Sequence, residues 1–302
     1  MSSFLVLAGT YGFAQTTSAD DTSLAAEIDG PSDIALWKTG DADTTIYMMG
    51  TIHMLPPDIA WETEDFQEAW EESDTLFLEA DVISPEAQQA LSTAVLGNAF
   101  FTDGTKLSSF FTAEELSNID KAIAPLNLSF SLFENMRPWF ASINIAQVAL
   151  QQMGADPMSG VDFILHGRAT DEGKAIRFLE TGTEQIEIIA GVPDKEWAAS
   201  MAVSIEELSD MEAFFADMVR LWYTGDAEGL AEFMNTALEA TPELKISLLD
   251  QRNENWARQL DRLISKEEGV FFMAVGAGHL AGDNTVQDYL LELGHQTSRV
   301  NP

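Results

Sequence analysis

Two of the four histidines in this chain share one local setting. The first closes the run Met48-Met49-Gly50-Thr51-Ile52-His53, the second the run Ala274-Val275-Gly276-Ala277-Gly278-His279. Each reads as an apolar strand, a glycine where the backbone turns, two residues and then an imidazole. Such a turn delivers the side chain just beyond the carboxyl edge of a sheet, where open α/β sheets bind their ligands. Two other strands end on carboxylates: Leu76-Phe77-Leu78-Glu79-Ala80-Asp81 presents Glu79 and Asp81, and Ile176-Arg177-Phe178-Leu179-Glu180 presents Glu180. Two imidazoles and one carboxylate suffice to hold a divalent ion with an open coordination position. His53, Glu79 and His279 are therefore the candidate metal ligands. One G-x-x-H alone means little; two, each directly after an apolar strand, mean more. The competing account has both histidines capping strand ends. His166, in mid-helix, and His295, in the turn Leu293-Gly294-His295-Gln296, read as surface residues.

The elements that must position these groups alternate between strand and helix. Residues 34–39 and 44–49 are short strands joined by Gly40-Asp41-Ala42-Asp43, a hairpin signal. An amphipathic helix is expected over 59–73, with Trp61, Phe66, Ala69 and Trp70 toward one side. A buried strand follows at 75–79, then helices at 84–96 and 112–124, the latter opening on a capping box. Residues 138–153 form an apolar helix with proline in its first turn. A helix at 161–171 leads to a strand at 175–180. The stretch 193–238 is helical throughout, its first part carrying Met201, Ile205, Leu208, Met211, Phe215, Met218 and Trp222 at spacings of three and four. That stripe reads as core or as a hairpin packed on the sheet. One long helix is expected over 242–264, a strand over 270–275, a helix over 284–293 and a closing strand over 296–300. The order predicts an α/β fold, a mixed sheet flanked by helices, in a single domain over 21–302.

Composition narrows the partners. Among 302 residues, 50 Asp and Glu against 15 Lys and Arg leave a net charge of −35. That field repels phosphate, which argues against nucleic acid or an anionic membrane. The excess acid reads as a solvated surface, or as a face for a cationic partner or metal ions. There is no cysteine, so disulfides, thiolate chemistry and zinc knuckles are excluded. The apolar run at 4–14 and the polar TTSADDTS after it resemble a secretory leader over 1–20, without the usual basic start. The run is too short to span a bilayer, and no other stretch approaches the ~20 apolar residues needed. Export to the periplasm or extracellular space is expected.

Taken in chain order, the two G-x-x-H runs and the residues between them resemble the TraB/GumN family, which includes the Tiki Wnt-inactivating metalloproteases. The likeness runs from Ile34 to Val300. It takes in the strand end at Glu79, Arg137-Pro138-Trp139, Gly160-Val161-Asp162, Gly173-Lys174, Phe178-Leu179-Glu180, Gln185, Arg252-Asn253 before Trp256, and Val275 to Leu280 with Gly282. The resemblance implies a fold like that of the erythromycin-esterase and ChaN-like proteins, with a helical insertion. It also implies a divalent-metal-dependent protease cutting near the N-terminus of a protein substrate. Other members are linked to shutting down peptide pheromones, and ChaN-like relatives to haem iron. The Met- and aromatic-rich helices after Pro193 depart from the family pattern.

The leading expectation is metal-assisted hydrolysis of a peptide or protein. The ion acidifies a bound water from a pKa of ~15.7 toward ~7 and polarises the scissile carbonyl. Glu180 is the candidate general base, and Asp162 a weaker one or the orienter of a histidine. Arg252, the lone cation in Asp250-Gln251-Arg252-Asn253-Glu254-Asn255, is the candidate oxyanion partner with Asn253 as second donor; a helix-surface salt bridge is its structural alternative. A His₂-carboxylate set suits Zn²⁺, Mn²⁺, Co²⁺ and Fe²⁺ alike. The rival is a non-enzymatic protein that sequesters a peptide or haem on the Met/Phe/Trp stripe. An esterase is a third reading, unsupported by any G-x-S-x-G elbow.

Overall fold

The computed structural model describes residues 30–238 and 241–300; the leader expected over 1–20 lies outside them. Six strands form one sheet: β1 (Leu36–Gly40), β2 (Thr44–Thr51), β3 (Thr75–Asp81), β4 (Ala175–Thr181), β5 (Gly269–Gly276) and β6 (Ser298–Arg299), in the order β4-β3-β5-β2-β1-β6. The four strands β4, β3, β5 and β2 run parallel, so their carboxyl ends share one edge. The hairpin strand β1 runs antiparallel to both its neighbours. The sheet is therefore mixed, as the strand–helix alternation predicts.

Successive side chains of β5 point to opposite faces. Phe272 and Ala274 join a core with Phe66 and Trp70 of α1 (Glu64–Glu72) and Val161, Leu165 and Ala169 of α5 (Val161–Glu172). Phe271, Met273 and Val275 join the opposite core with Trp256 and Leu260 of α11 (Gln251–Ile264) and Val286 and Leu290 of α12 (Val286–Glu292). Burial on both faces is why the parallel strands read as unbroken apolar runs. The remaining helices are α2 (Pro85–Asn98), α3 (Ala113–Ile123), α4 (Pro138–Gln152), α6 (Gly182–Gly191), α7 (Asp194–Glu206), α8 (Met211–Tyr223), α9 (Ala227–Leu238) and α10 (Pro242–Lys245). Leu91, Trp139, Phe140, Ile186, Ile189 and Trp197 tie α2, α4, α6 and α7 into a core away from the sheet.

Four local differences from the sequence reading have physical causes. The first helix starts at Glu64 rather than 59, because the Thr63 hydroxyl caps it by accepting from Phe66 N. Helix α6 falls in a gap of the expected pattern, although Thr181 and Glu184 make a reciprocal capping box at its start. The stripe from Met201 to Trp222 is split between α7 and α8 by a 3₁₀ turn, Glu207–Asp210. The helix expected over 242–264 is interrupted by a π-helical turn, Ile246–Asp250, directly before α11. Such turns recur where a helix must redirect a functional side chain.

Candidate active site

Strands β2 and β5 are in parallel register with Gly50 opposite Val275 and Thr51 opposite Gly276, so the two G-x-x-H segments leave the sheet side by side. Neither Gly50 nor Gly276 has a positive φ, so turning is not what these glycines supply. At Gly50 the reason is close approach: a Cβ there would stand 2.9 Å from the Cα of Ala277. Gly160, which precedes α5, is likewise pressed against the carbonyl of His53 and leaves no room for a side chain. That contact brings Asp162, in the first turn of α5, to His53. Asp162 Oδ2 lies 2.5 Å from His53 Nδ1, and Oδ1 accepts from the Thr51 hydroxyl at 2.9 Å. A helix N-terminus favours the negative charge placed there. Burial pulls the His53 pKa down, but Asp162 and then Glu79 outweigh it, and the value lies above the ordinary 6.5. His53 Nε2 is buried with no hydrogen-bond partner among the described residues.

His279 is fully buried at the end of a 3₁₀ turn, Ala277–His279. Its Nδ1 lies 2.6 Å from Asn253 Oδ1, and Asn253 Nδ2 donates to the carbonyl of Asn284 at 2.8 Å. The second bond fixes the amide so that its oxygen faces His279, which makes Nδ1 the protonated nitrogen. Nε2 then accepts from Arg252 Nη1 at 3.1 Å, and the ring rests on Trp256 with centroids 4.3 Å apart. Burial, reinforced by the Arg252 charge, holds His279 well below 6.5.

Glu79 joins the two halves. Its Oε1 accepts from Gly276 N at 2.7 Å and lies 3.6 Å from His279 Nε2 and 4.0 Å from His53 Nε2. Its Oε2 accepts from Arg252 Nη2 at 2.6 Å and from Gln185 Nε2 of α6 at 3.3 Å. Burial pushes this carboxyl up, but Arg252 and the two histidines bring it below 4.5. Arg252 also donates to Glu180, from Nη2 at 2.5 Å and Nε at 3.1 Å, and to the Leu248 carbonyl in the π turn at 3.0 Å. Burial leaves Glu180 above 4.5 in spite of that pairing.

The structure thus brings His53, Glu79, His279, Glu180 and Arg252 into one cluster, with Asp162 and Asn253 behind the two imidazoles. Arg252 is 3% exposed, so it is no surface salt bridge. Asn253 uses both ends of its amide on neighbours and is not a free second donor to an oxyanion. Asp81 turns away from the cluster and accepts from Ser84, whose hydroxyl caps α2. His166 is half-buried, and His295 pairs with Asp261 at 2.9 Å. Thr51, the Leu248 carbonyl and the Gly276 N–H take part without having been anticipated. Only the capping box before Gln185 left a signal of its own in the sequence.

The donor chemistry fits a divalent cation. Both imidazoles have an outer nitrogen anchored to an oxygen, the usual way a ligating histidine is oriented. Glu79 is ionised, and one Nε2 is buried and unpartnered. What the arrangement withholds is the lone pair of His279, which faces Arg252. The donor types fit, but in the arrangement the structure shows, no group of three or more His, Cys, Asp or Glu side chains among the described residues is drawn together as a metal site.

A mixed α/β sheet with this cluster at its carboxyl edge is the frame in which the comparisons with known proteins fall. The TraB/PrgY/gumN family profile matches residues 35–299, and the chain belongs to that family. It is similar to "Uncharacterized protein YbaP" of Escherichia coli (strain K12), 25% identical over 81% of this chain and 87% of that protein. It is also similar to "Metalloprotease TIKI2" of Danio rerio, 21% identical over 85% of this chain and 58% of that protein. A shorter stretch, 26% of this chain and 17% of that protein, is 32% identical to "Metalloprotease TIKI2" of Xenopus tropicalis. No solved structure matches.

Proposed function

We propose that this chain is an exported, divalent-metal-dependent hydrolase that cuts peptide bonds in a peptide or protein substrate. The observation that carries the reading is convergence. The two G-x-x-H imidazoles approach the same oxygen, Glu79 Oε1, at 4.0 and 3.6 Å, and His53 Nε2 is buried without a partner among the described residues. The distant likeness to proteins named metalloproteases supports the reaction class. His53, Glu79 and His279 are the residues that would hold Mn²⁺, Co²⁺, Zn²⁺ or Fe²⁺. Bound there, the ion supplies an acidified water and a polarised carbonyl. The chain does the rest. Asp162 and Asn253 accept from the two Nδ1 atoms and keep both Nε2 atoms turned inward. Glu180, held above 4.5 by burial, would accept a proton from the attacking water, giving up a hydrogen bond from Arg252 to do so. Arg252 offsets the charge of Glu79 and Glu180; its N–H groups are all directed at Glu79, Glu180, the Leu248 carbonyl and His279, so toward an oxyanion it would act through its charge and not as a free donor.

Calorimetric titration of Mn²⁺, Co²⁺ and Zn²⁺ into the native chain and a His53→Ala/His279→Ala variant tests the site. A single micromolar-or-tighter site present only in the native chain, with metal-dependent peptide cleavage lost in His53→Ala, is expected. Equal binding in both would mean that the −35 surface collects cations, and the reading would fail. An apolar cavity beside His53, walled partly by Met201, Met211 and Met218, favours a second reading in which the chain sequesters a peptide or haem without cutting anything. Tight binding of either with no product, in the presence of Mn²⁺ or Co²⁺, would select it.

A further inference from the structure

The cavity that adjoins His53 has a composition at odds with the rest of the chain. It lies between α4, α7, α8 and α10, with a volume of about 110 Å³, and its walls include Ile143, Met201, Leu208, Met211, Phe215 and Met218. In a protein of net charge −35, no Asp, Glu, Lys or Arg is among the described residues lining it. Beyond His53, its polar members are the hydroxyls of Ser142, Ser200 and Ser204 and the Trp197 indole. Ser142 donates to the Pro138 carbonyl and Trp197 to the Ile189 carbonyl, so neither asks for a polar ligand. Water in so apolar a pocket finds few polar partners, which favours its displacement by an apolar group.

Size and position narrow the occupant. A cavity of ~150 Å³ lined by aliphatic and aromatic side chains holds one benzene-sized molecule and stays dry. A volume of about 110 Å³ therefore suits one branched or aromatic side chain and is too small for an extended hydrocarbon chain. Ile52, His53 and Met54 form one wall, so whatever enters lies beside the cluster. The lining also includes Leu244 and Leu248, and Leu248 is the residue whose carbonyl holds Arg252. The methionines give the walls a polarisable, adjustable surface that tolerates more than one side-chain shape.

We infer that this cavity receives one bulky apolar side chain, of the Leu, Met or Phe kind, from a peptide substrate at a position next to the bond presented to the cluster. The inference rests on the hydrolase reading for its placement beside the scissile bond, and on the cavity alone for its preference in side chain. Discrimination between Phe or Leu and Ala in such a pocket is expected to reach about tenfold or more.

The test has a binding arm and a cleavage arm on the full chain. Ligand-observed saturation-transfer NMR compares N-acetyl-phenylalaninamide and N-acetyl-leucinamide with N-acetyl-alaninamide, on the native chain and on Ala146→Phe, which fills the cavity from α4. Ser204→Leu, which fills it from α7, replaces that variant should it not fold. Blocked peptides differing only by Phe, Leu or Ala at one position are then assayed with Mn²⁺, Co²⁺ and Zn²⁺. The expected result is binding of the two bulky amides only, loss of it in the filled variant with an unchanged melting temperature, and a matching loss of preference in cleavage. Equal response to all three amides, or no change on filling, overturns the inference. Tight displacement of the amides by decanoate overturns it in favour of a hydrocarbon chain. Selective amide binding with no peptide cut under any metal supports the cavity assignment and defeats the hydrolase reading instead.

Discussion

The two G-x-x-H segments begin alike and end in opposite electrostatic states. Both follow a buried parallel strand, both leave the sheet at the same edge, and both anchor Nδ1 on a side-chain oxygen. His53 is anchored on a carboxylate, and its Nε2 is unpartnered among the described residues. His279 is anchored on a neutral amide, and its Nε2 faces a guanidinium. Burial opposes the imidazolium in both, yet Asp162 carries His53 above 6.5 while Arg252 adds to burial and keeps His279 far below it. Local pattern therefore decides where a histidine stands, and the groups behind and before it decide what it does.

The harshest way to break this contrast is Arg252→Ala. It leaves Glu79 and Glu180 buried without their shared cation, and breaking a buried pair in this way costs about 3–5 kcal/mol. Urea unfolding of the metal-free protein reads the loss, and a change under 1 kcal/mol would mean, by order of magnitude, that water already screens the cluster. Asp162→Asn acts on the other half. Losing a hydrogen bond to a charged partner is expected to cost about 1.5–3 kcal/mol near pH 6. The His53 pKa, followed by NMR titration, should fall in that variant, and an unmoved value would show that Asp162 is not what raises it.

A pH series probes the contrast without removing charge from the carboxylates. His53 is raised, so its contribution to stability is full below 6.5 and fades as pH rises through its folded value. His279 is lowered, so its contribution is full above 6.5 and fades as pH falls toward its folded value. The stability difference between the metal-free native chain and His53→Gln should thus shrink as pH rises. The difference between the native chain and His279→Gln should shrink as pH falls. Parallel curves for the two variants would erase the distinction. The mildest change is Thr181→Ala, which removes the capping box of α6 at a cost of about 1 kcal/mol. Because α6 carries Gln185 to Glu79, a small fall in melting temperature should accompany it. No fall at all would separate α6 from the stability of the cluster.

What could be read before folding was whatever depends on neighbours in the chain. Apolar runs marked β2, β3 and β5, and the residues at or just past their ends marked His53, Glu79 and His279, because strand and strand end are adjacent in sequence. Most helices announced themselves through spacing and caps, and a π turn escaped because its residues are ordinary helix formers. Partners were another matter. His53 meets Asp162 across 109 positions, Arg252 meets Glu180 across 72 and Glu79 across 173, and no local signal records such meetings.

The amino-acid sequence alone therefore determined the α/β alternation, the residue types at the strand ends, the family resemblance and the acidic surface. Tertiary structure decided that Arg252 is buried between two carboxylates, that Asn253 orients an imidazole, and that an apolar cavity opens beside His53. The physical reason is that periodicity and capping act over a few residues, whereas desolvation, charge pairing and the shape of a void exist only once distant elements are packed together.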